Sequence, residues 1–214
     1  MLVFDRSNTM TDPADPANPN GPTKLDKAKE AGTTFISQLK NTGTTSVRIG
    51  ISSFGAQGND GTGKLTPPYN STLHTALLPI HTQYMAIQSA MSSVQYILPG
   101  TCVLCGIRIA NQQLLPSTNV RAEILLSDGM TWKFWDGHGG DQDAKDAAIA
   151  EAKIAKDAGV DMWVVGYGDR NVPDMIDEVT LKAISSNPDT RYFYRPDAAE
   201  WSATFTKILG ELCK

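Results

Sequence analysis

Leu2-Val3-Phe4-Asp5-Arg6-Ser7-Asn8-Thr9-Met10 is an apolar run that ends in an acid and two hydroxyl residues at alternate positions. A buried strand of a parallel sheet reads as such a run, and open α/β sheets place their ligand sites at the carboxyl ends of their strands. Asp5, Ser7 and Thr9 then share that rim. Three oxygen side chains, only one of them charged, suit a hard divalent cation that keeps waters and open positions. Taken alone, the stretch reads rather as a capping loop after a strand, because Asp, Ser, Asn and Thr all favour such loops.

Composition bounds what the stretch belongs to. With 214 residues, 41% hydrophobic and 20% charged, the chain suffices for one substantial core, and we expect a single domain over 1–214. The net charge of −4 and pI near 5.3 give no basic footprint for nucleic acid or an anionic membrane surface. No apolar run approaches the roughly 20 residues of a membrane helix, and residues 1–15 lack the basic and apolar regions of a signal peptide. Only four residues precede Asp5, short for a central strand, so the chain reads as a segment of a longer protein. Cys102, Cys105 and Cys213 are too few for a disulfide scaffold and lack the second pair of a zinc ribbon.

Outward from the first strand, Thr11 to Thr23 holds four prolines and reads as a surface loop beside the rim. Thr23-Lys24-Leu25-Asp26 opens a helix to about Lys40, and Val47 to Phe54 alternates as a strand. A glycine-rich turn from Gly55 to Gly63 leads through Lys64-Leu65-Thr66 into a short antiparallel edge strand stopped by Pro67-Pro68. Helical spacing follows over Tyr84 to Leu98, and again from Gly100 to about Leu115. Arg121 to Asp128 repeats the logic of the first strand, apolar into an aspartate, with Gly129 allowing a tight exit. An alanine-rich helix over Asp141 to Ala158, a strand over Val160 to Gly168, a short helix over Met175 to Ser185, a strand over Arg191 to Tyr194 and a last helix to about Leu212 complete the chain.

Strands alternating with helices predict an α/β fold with a doubly wound, mostly parallel sheet, one antiparallel edge strand and helices on both faces. No G-x-G-x-x-G follows the first strand and no G-x-x-x-x-G-K-[ST] occurs, so nucleotide binding lacks its glycine cradle.

Three loops then meet at one rim: Asp5-Arg6-Ser7-Asn8-Thr9, Gly100-Thr101 and Ser127-Asp128-Gly129. In these the sequence resembles the von Willebrand factor A family, which includes the inserted domains of integrins and many prokaryotic modules. Its metal-ion-dependent adhesion site reads D-x-S-x-S, then a threonine, then an aspartate at a strand end. Asp5, Ser7 and Thr9 match the first element, with threonine where serine is usual; Thr101 matches the second and Asp128 the third. The resemblance implies a Rossmann-like fold over nearly the whole chain. It also implies metal ligation by Asp5, Ser7, Thr9, Thr101 and Asp128: Ser7 and Thr9 directly, Asp5 and Asp128 mostly through water, and Thr101 in the ligand-bound state. The implied cofactor is Mg²⁺, with Mn²⁺ or Ca²⁺ as substitutes, and the implied partner is a protein that supplies a Glu or Asp carboxylate. The implied location is extracellular or in the cell envelope, within a larger protein, with the cytoplasm as the alternative. A slide of the C-terminal helix, here roughly residues 198 to 212, would separate open from closed states.

The resulting expectation is a non-enzymatic, metal-dependent adhesion or assembly module. Two alternatives stay open: a metal-dependent hydrolase or phosphoryl-transfer enzyme, and an intracellular assembly subunit of an ATP-driven machine. Against the first, Arg6-Ser7 supplies no second acid after Asp5, no lysine stands convincingly at a later strand end, and His74, His81 and His138 all read as loop residues. Cys102-x-x-Cys105 reads as a redox pair, a local disulfide or, more plainly, two small residues packed beside a rim helix, while Cys213 should lie free at the opposite pole. Trp132, Phe134, Trp135 and His138 form either a contact surface near the metal or a loop folded on itself. Arg6 pairs with a ligand carboxylate, with Asp128 or in a surface salt bridge, and Asn70-Ser71-Thr72 fits a glycosylation sequon.

Overall fold

Strand β1 (Leu2–Asp5) sits at the middle of the sheet because every one of its residues is buried. Leu2 and Phe4 face one core and Val3 the other, so an unbroken apolar run is what the position requires. The computed structural model describes residues 1–44, 46–55, 71–96, 101–130, 141–171, 175–195 and 197–213. Around β1 stand β2 (Arg48–Phe54), β3 (Ser71–Pro79), β4 (Arg121–Ser127), β5 (Val160–Gly166) and β6 (Tyr192–Tyr194), in the order β3-β2-β1-β4-β5-β6. All neighbours are parallel except β2 and β3. The chain winds outward from β1 to β3 and then returns to lay β4 against β1. That reversal makes the carboxyl ends of β1 and β4 the switch point of the sheet, where a crevice forms.

Helices cover both faces, as expected. α1 (Lys24–Asn41), α2 (Ile80–Ser92) and α6 (Trp201–Leu212) enclose one core with Phe4, Trp163 and Phe205. α3 (Val103–Leu114), α4 (Asp141–Asp157) and α5 (Glu178–Ile184) enclose the other with Val3, Leu125 and Val164. α1 begins at a capping box: Thr23 Oγ1 accepts from the Asp26 N–H, and the Asp26 carboxylate accepts from the Thr23 N–H at 2.9 Å. This closes the proline-rich loop, whose ends also meet where the Lys24 N–H donates to the Asp12 carbonyl at 2.9 Å.

Two expectations shift. The antiparallel edge strand is Ser71–Pro79, half-buried along its length; Lys64-Leu65-Thr66 lies outside the described residues. The second helix runs over Ile80–Ser92 rather than Tyr84 to Leu98. Ile80 is fully buried, but polar His81, Thr82 and Gln83 after it hide the first turn from an apolar count. At the other end Ser92 and Ser93 hydroxyls donate back to the Gln88 and Ala90 carbonyls, a local alternative to further helix.

Glu123, in β4, is fully buried, and neither carboxyl oxygen has a hydrogen-bond partner. Burial, and to a lesser degree the nearby Glu151, push its carboxyl up to about 8, with the Met1 amino group opposing. An acid whose folded pKa lies above its unfolded value stabilises the protein fully below about pH 4.5 and progressively less up to about pH 8. Glu123→Gln should therefore match the native chain in urea unfolding at pH 4.5 and exceed its stability at pH 8.5, by on the order of a few kcal/mol. Parallel pH profiles for the two proteins would contradict this.

Candidate metal site

The site is built where β1 and β4 end side by side. Asp5 is the last residue of β1, Asp128 follows the last residue of β4, and both are buried. After Asp5 the chain turns at once: the Ser7 N–H donates to Asp5 Oδ1 at 2.8 Å, and a 3-10 turn over Asn8–Thr11 brings Thr9 back over the rim. Thr9 Oγ1 donates to Asp128 Oδ2 at 3.1 Å and lies 3.2 Å from Ser7 Oγ. With Thr9's one proton directed at Asp128, Ser7 is the donor of that second bond. Asp128 Oδ1 accepts from the Met130 N–H at 3.0 Å, and Asp5 Oδ2 accepts from Ser127 Oγ at 3.1 Å. Asp5, Ser7, Thr9 and Asp128 thus form one connected cluster drawn from two strand ends.

Gly129 makes the exit after Asp128 possible. Its φ is +73°, and a Cβ there would come within 2.9 Å of the Asp177 carbonyl oxygen. Thr101 arrives with α3. A side chain at Gly106 would collide with the ring of Phe54, the residue paired with Asp5, so the first turn of α3 presses on the carboxyl end of β2; Thr101, two residues before α3, is buried. Cys102 and Cys105 are joined in a disulfide with a Cα–Cα distance of 5.2 Å, which corrects the plainer expectation of two small packed residues. Cys102 is the cap residue and Cys105 the third helical residue, and this spacing puts both sulfurs on one helix face. The bridge braces the residue next to Thr101 against α3. Cys213 is free and exposed.

Electrostatically the cluster is under load. Burial raises the Asp5 carboxyl to about 6, against hydrogen bonds from Ser7 and Ser127 that pull it down. Burial, and then the Asp5 charge, hold Asp128 well above the carboxylate range; Lys24 offsets little, being paired with Asp12 at 3.1 Å. Arg6 does not relieve them. It is buried, donates to Thr72 Oγ1 at 2.7 Å and to the Gln95 carbonyl, and so pairs neither with Asp128 nor in a surface salt bridge.

Other expectations are corrected or fall elsewhere. His74 lies in β3 and His81 in α2, not in loops. His74 bridges Ser53 at 2.7 Å and Ser93 at 3.0 Å. Trp132, Phe134, Trp135, His138 and Asn70 lie outside the described residues. Two site residues escaped assignment from sequence. Ser127 links Asp5 to the turn, accepting from the Gly129 N–H at 3.0 Å; its signal was a hydroxyl immediately before a strand-end aspartate. Tyr167, just past the end of β5, lies under the cluster, and its signal was a polar-tipped aromatic at a third strand end.

The model of the von Willebrand factor type A domain matches residues 1–207. The chain belongs to this family. No curated protein is similar enough in sequence to count as a relative. Among solved structures, this von Willebrand factor type A domain is similar in fold to the pilus adhesin SpaC of Lactobacillus rhamnosus GG, with TM-score 0.74 and 19% identity over 99% of this chain and 30% of that one. It is also similar to the corresponding domain of the type V pilus tip protein Mfa5 of Porphyromonas gingivalis, with TM-score 0.71 and 15% identity over 99% of this chain and 93% of that one. A third is proximal thread matrix protein 1 of the mussel byssus with a zinc-occupied MIDAS motif, with TM-score 0.70 and 18% identity over 99% of this chain and 44% of that one. This chain therefore spans less than half the length of two of the three. Among the described residues of this domain no helix is long and apolar enough to cross a membrane.

The donor set of this von Willebrand factor type A domain fits a hard divalent cation. Among the described residues no three His, Cys, Asp or Glu side chains gather anywhere, so the rim offers hydroxyls and two acids rather than a thiolate or imidazole cage. Ser7 Oγ, donating to Thr9, keeps its lone pairs. A cation would also relieve the repulsion between the two buried carboxyls. Without one that repulsion costs stability, so Asp128→Asn, measured by urea unfolding at pH 8 in EDTA, should be more stable than the native chain by about 1–3 kcal/mol. A loss of similar size would mean that the pair is already compensated within the protein.

Proposed function

We propose that this rim is a metal-ion-dependent adhesion site and that the domain is a non-enzymatic binding module. In this reading Ser7 and Thr9 hold a divalent cation through their hydroxyl oxygens, Asp5 and Asp128 act mostly through water, and Thr101 joins when ligand binds. Mg²⁺ is the natural occupant, with Mn²⁺ or Ca²⁺ as substitutes. The bound cation supplies a Lewis-acidic, undercharged centre that seeks a carboxylate from outside, so the partner is a protein presenting a Glu or Asp. The domain would act within a larger extracellular or envelope protein.

The observation that carries this reading is the pair of buried carboxyls linked through Ser7 and Thr9, with the Ser7 hydroxyl donating to Thr9 and so keeping its lone pairs. The likeness to pilus proteins is consistent with adhesion. No specific observation favours hydrolysis. The Ser53 hydroxyl that meets His74 is fully buried, out of reach of a substrate.

Thermal unfolding in Mg²⁺ or Mn²⁺ tests the proposal. At about 100 times Kd the native domain should gain about 2.7 kcal/mol, and Asp5→Ala and Asp128→Ala should gain essentially nothing. Equal metal stabilisation in all three would remove the site. Phosphate release from model esters, abolished by those same substitutions, would replace binding with catalysis.

A further inference from the structure

Tyr167 is a large buried side chain just past the end of β5 that the proposed ligand set does not use. It is 1% exposed, and its hydroxyl has no hydrogen-bond partner. An unsatisfied buried hydroxyl costs about 1–3 kcal/mol, so its persistence calls for a partner. Its surroundings are those of the cluster. After burial, the charges of Asp128 and Asp5 push the phenol well above its ordinary value, while the Thr9 and Ser7 hydroxyls pull the other way. The hydroxyl therefore stands beside Asp5, Ser7, Thr9 and Asp128, four of the five proposed ligands.

The ring cannot swing out to find water. Its backbone N–H donates to the Ser127 carbonyl at 3.2 Å, which ties it to the end of β4 beside Asp128. Its face rests on Trp201, the first residue of α6, with ring centroids 5.5 Å apart, and Trp201 Nε1 is fixed on the Arg195 carbonyl at 3.0 Å. Gly166, immediately before it, is packed so that a Cβ would meet the Tyr192 hydroxyl at 2.7 Å.

We propose that Tyr167 is a positioning residue for the metal centre: its hydroxyl is an outer-sphere hydrogen-bond donor to the cation-bound Asp5–Asp128 rim. This deepens the proposed function and rests on the rim binding a cation. The phenol holds the orientation of groups that contact the metal and does not itself contact it. Such outer partners are typically worth 10-fold or more in metal affinity.

Tyr167→Phe separates this role from packing, because it keeps the ring against Trp201 and removes only the oxygen. With Mn²⁺ alone as the probe, calorimetric titration should give a Kd at least about 10-fold weaker in Tyr167→Phe than in the native domain. Unfolding in EDTA should show the variant as stable as the native domain or more so, since it loses an unsatisfied group. An unchanged Mn²⁺ Kd overturns the assignment. So does a variant destabilised in EDTA whose Kd is unchanged once the folded fraction is allowed for, the mark of a structural hydroxyl. If the native domain takes up no Mn²⁺, the adhesion-site reading fails first and the Tyr167 assignment falls with it.

Discussion

Two carboxyls buried side by side at the switch point of a parallel sheet are the constraint around which this fold is arranged. Both Asp5 and Asp128 are costly there, because burial penalises the charged form of each and the Asp5 charge adds to the cost of charging Asp128. What makes the pair tolerable is local. Thr9, returned over the rim by a 3-10 turn, donates to Asp128, while Ser127 and the Ser7 N–H donate to Asp5. In the proposed reading the remaining relief comes from a cation held through the Ser7 and Thr9 hydroxyls. A protein selected for stability alone would fill such a rim with apolar residues. That cost falls at the position where the topology of α/β sheets leaves a crevice, which is why we propose a binding site there.

The surrounding structure serves to hold this rim still. The capping box at Thr23 closes the proline-rich loop that follows the 3-10 turn carrying Thr9. The Cys102–Cys105 bridge ties the segment carrying Thr101 to α3. Gly129 turns the chain where any side chain would strike the Asp177 carbonyl. Tyr167 lies beside the cluster and leans on Trp201, so the start of the C-terminal helix reaches the proposed metal site through one ring contact. Any displacement of that helix would be felt at the rim through this pair.

Much of this was legible in the chain. Apolar runs ending in Asp5 and Asp128 marked both central strand ends, since a strand buried on two faces has to be apolar throughout. What escaped was polar or half-exposed. β3 is an edge strand of intermediate burial, with no strong alternation to mark it. The first turn of α2 follows Pro79 with three polar residues after Ile80. Arg6 looked like a partner for Asp128 because the two are close in function. Its guanidinium in fact turns to Thr72, on a strand that the sequence pattern did not reveal. The disulfide was open as a pairing but not decidable, because two cysteines three apart at a helix start pack equally well as thiols or as a bridge. Tyr167 could not be assigned from a motif at all, as its role depends on which residues the third strand end faces.

Crystals grown or soaked in MnCl2 and measured at a wavelength with manganese anomalous signal test the central claim most directly. The account predicts a single strong anomalous peak at the rim, bonded to the Ser7 and Thr9 hydroxyl oxygens, with Asp5 and Asp128 within hydrogen-bond reach of its waters. A rim without a peak in a crystal that holds manganese elsewhere, or a peak whose ligands exclude Ser7 and Thr9, would contradict it.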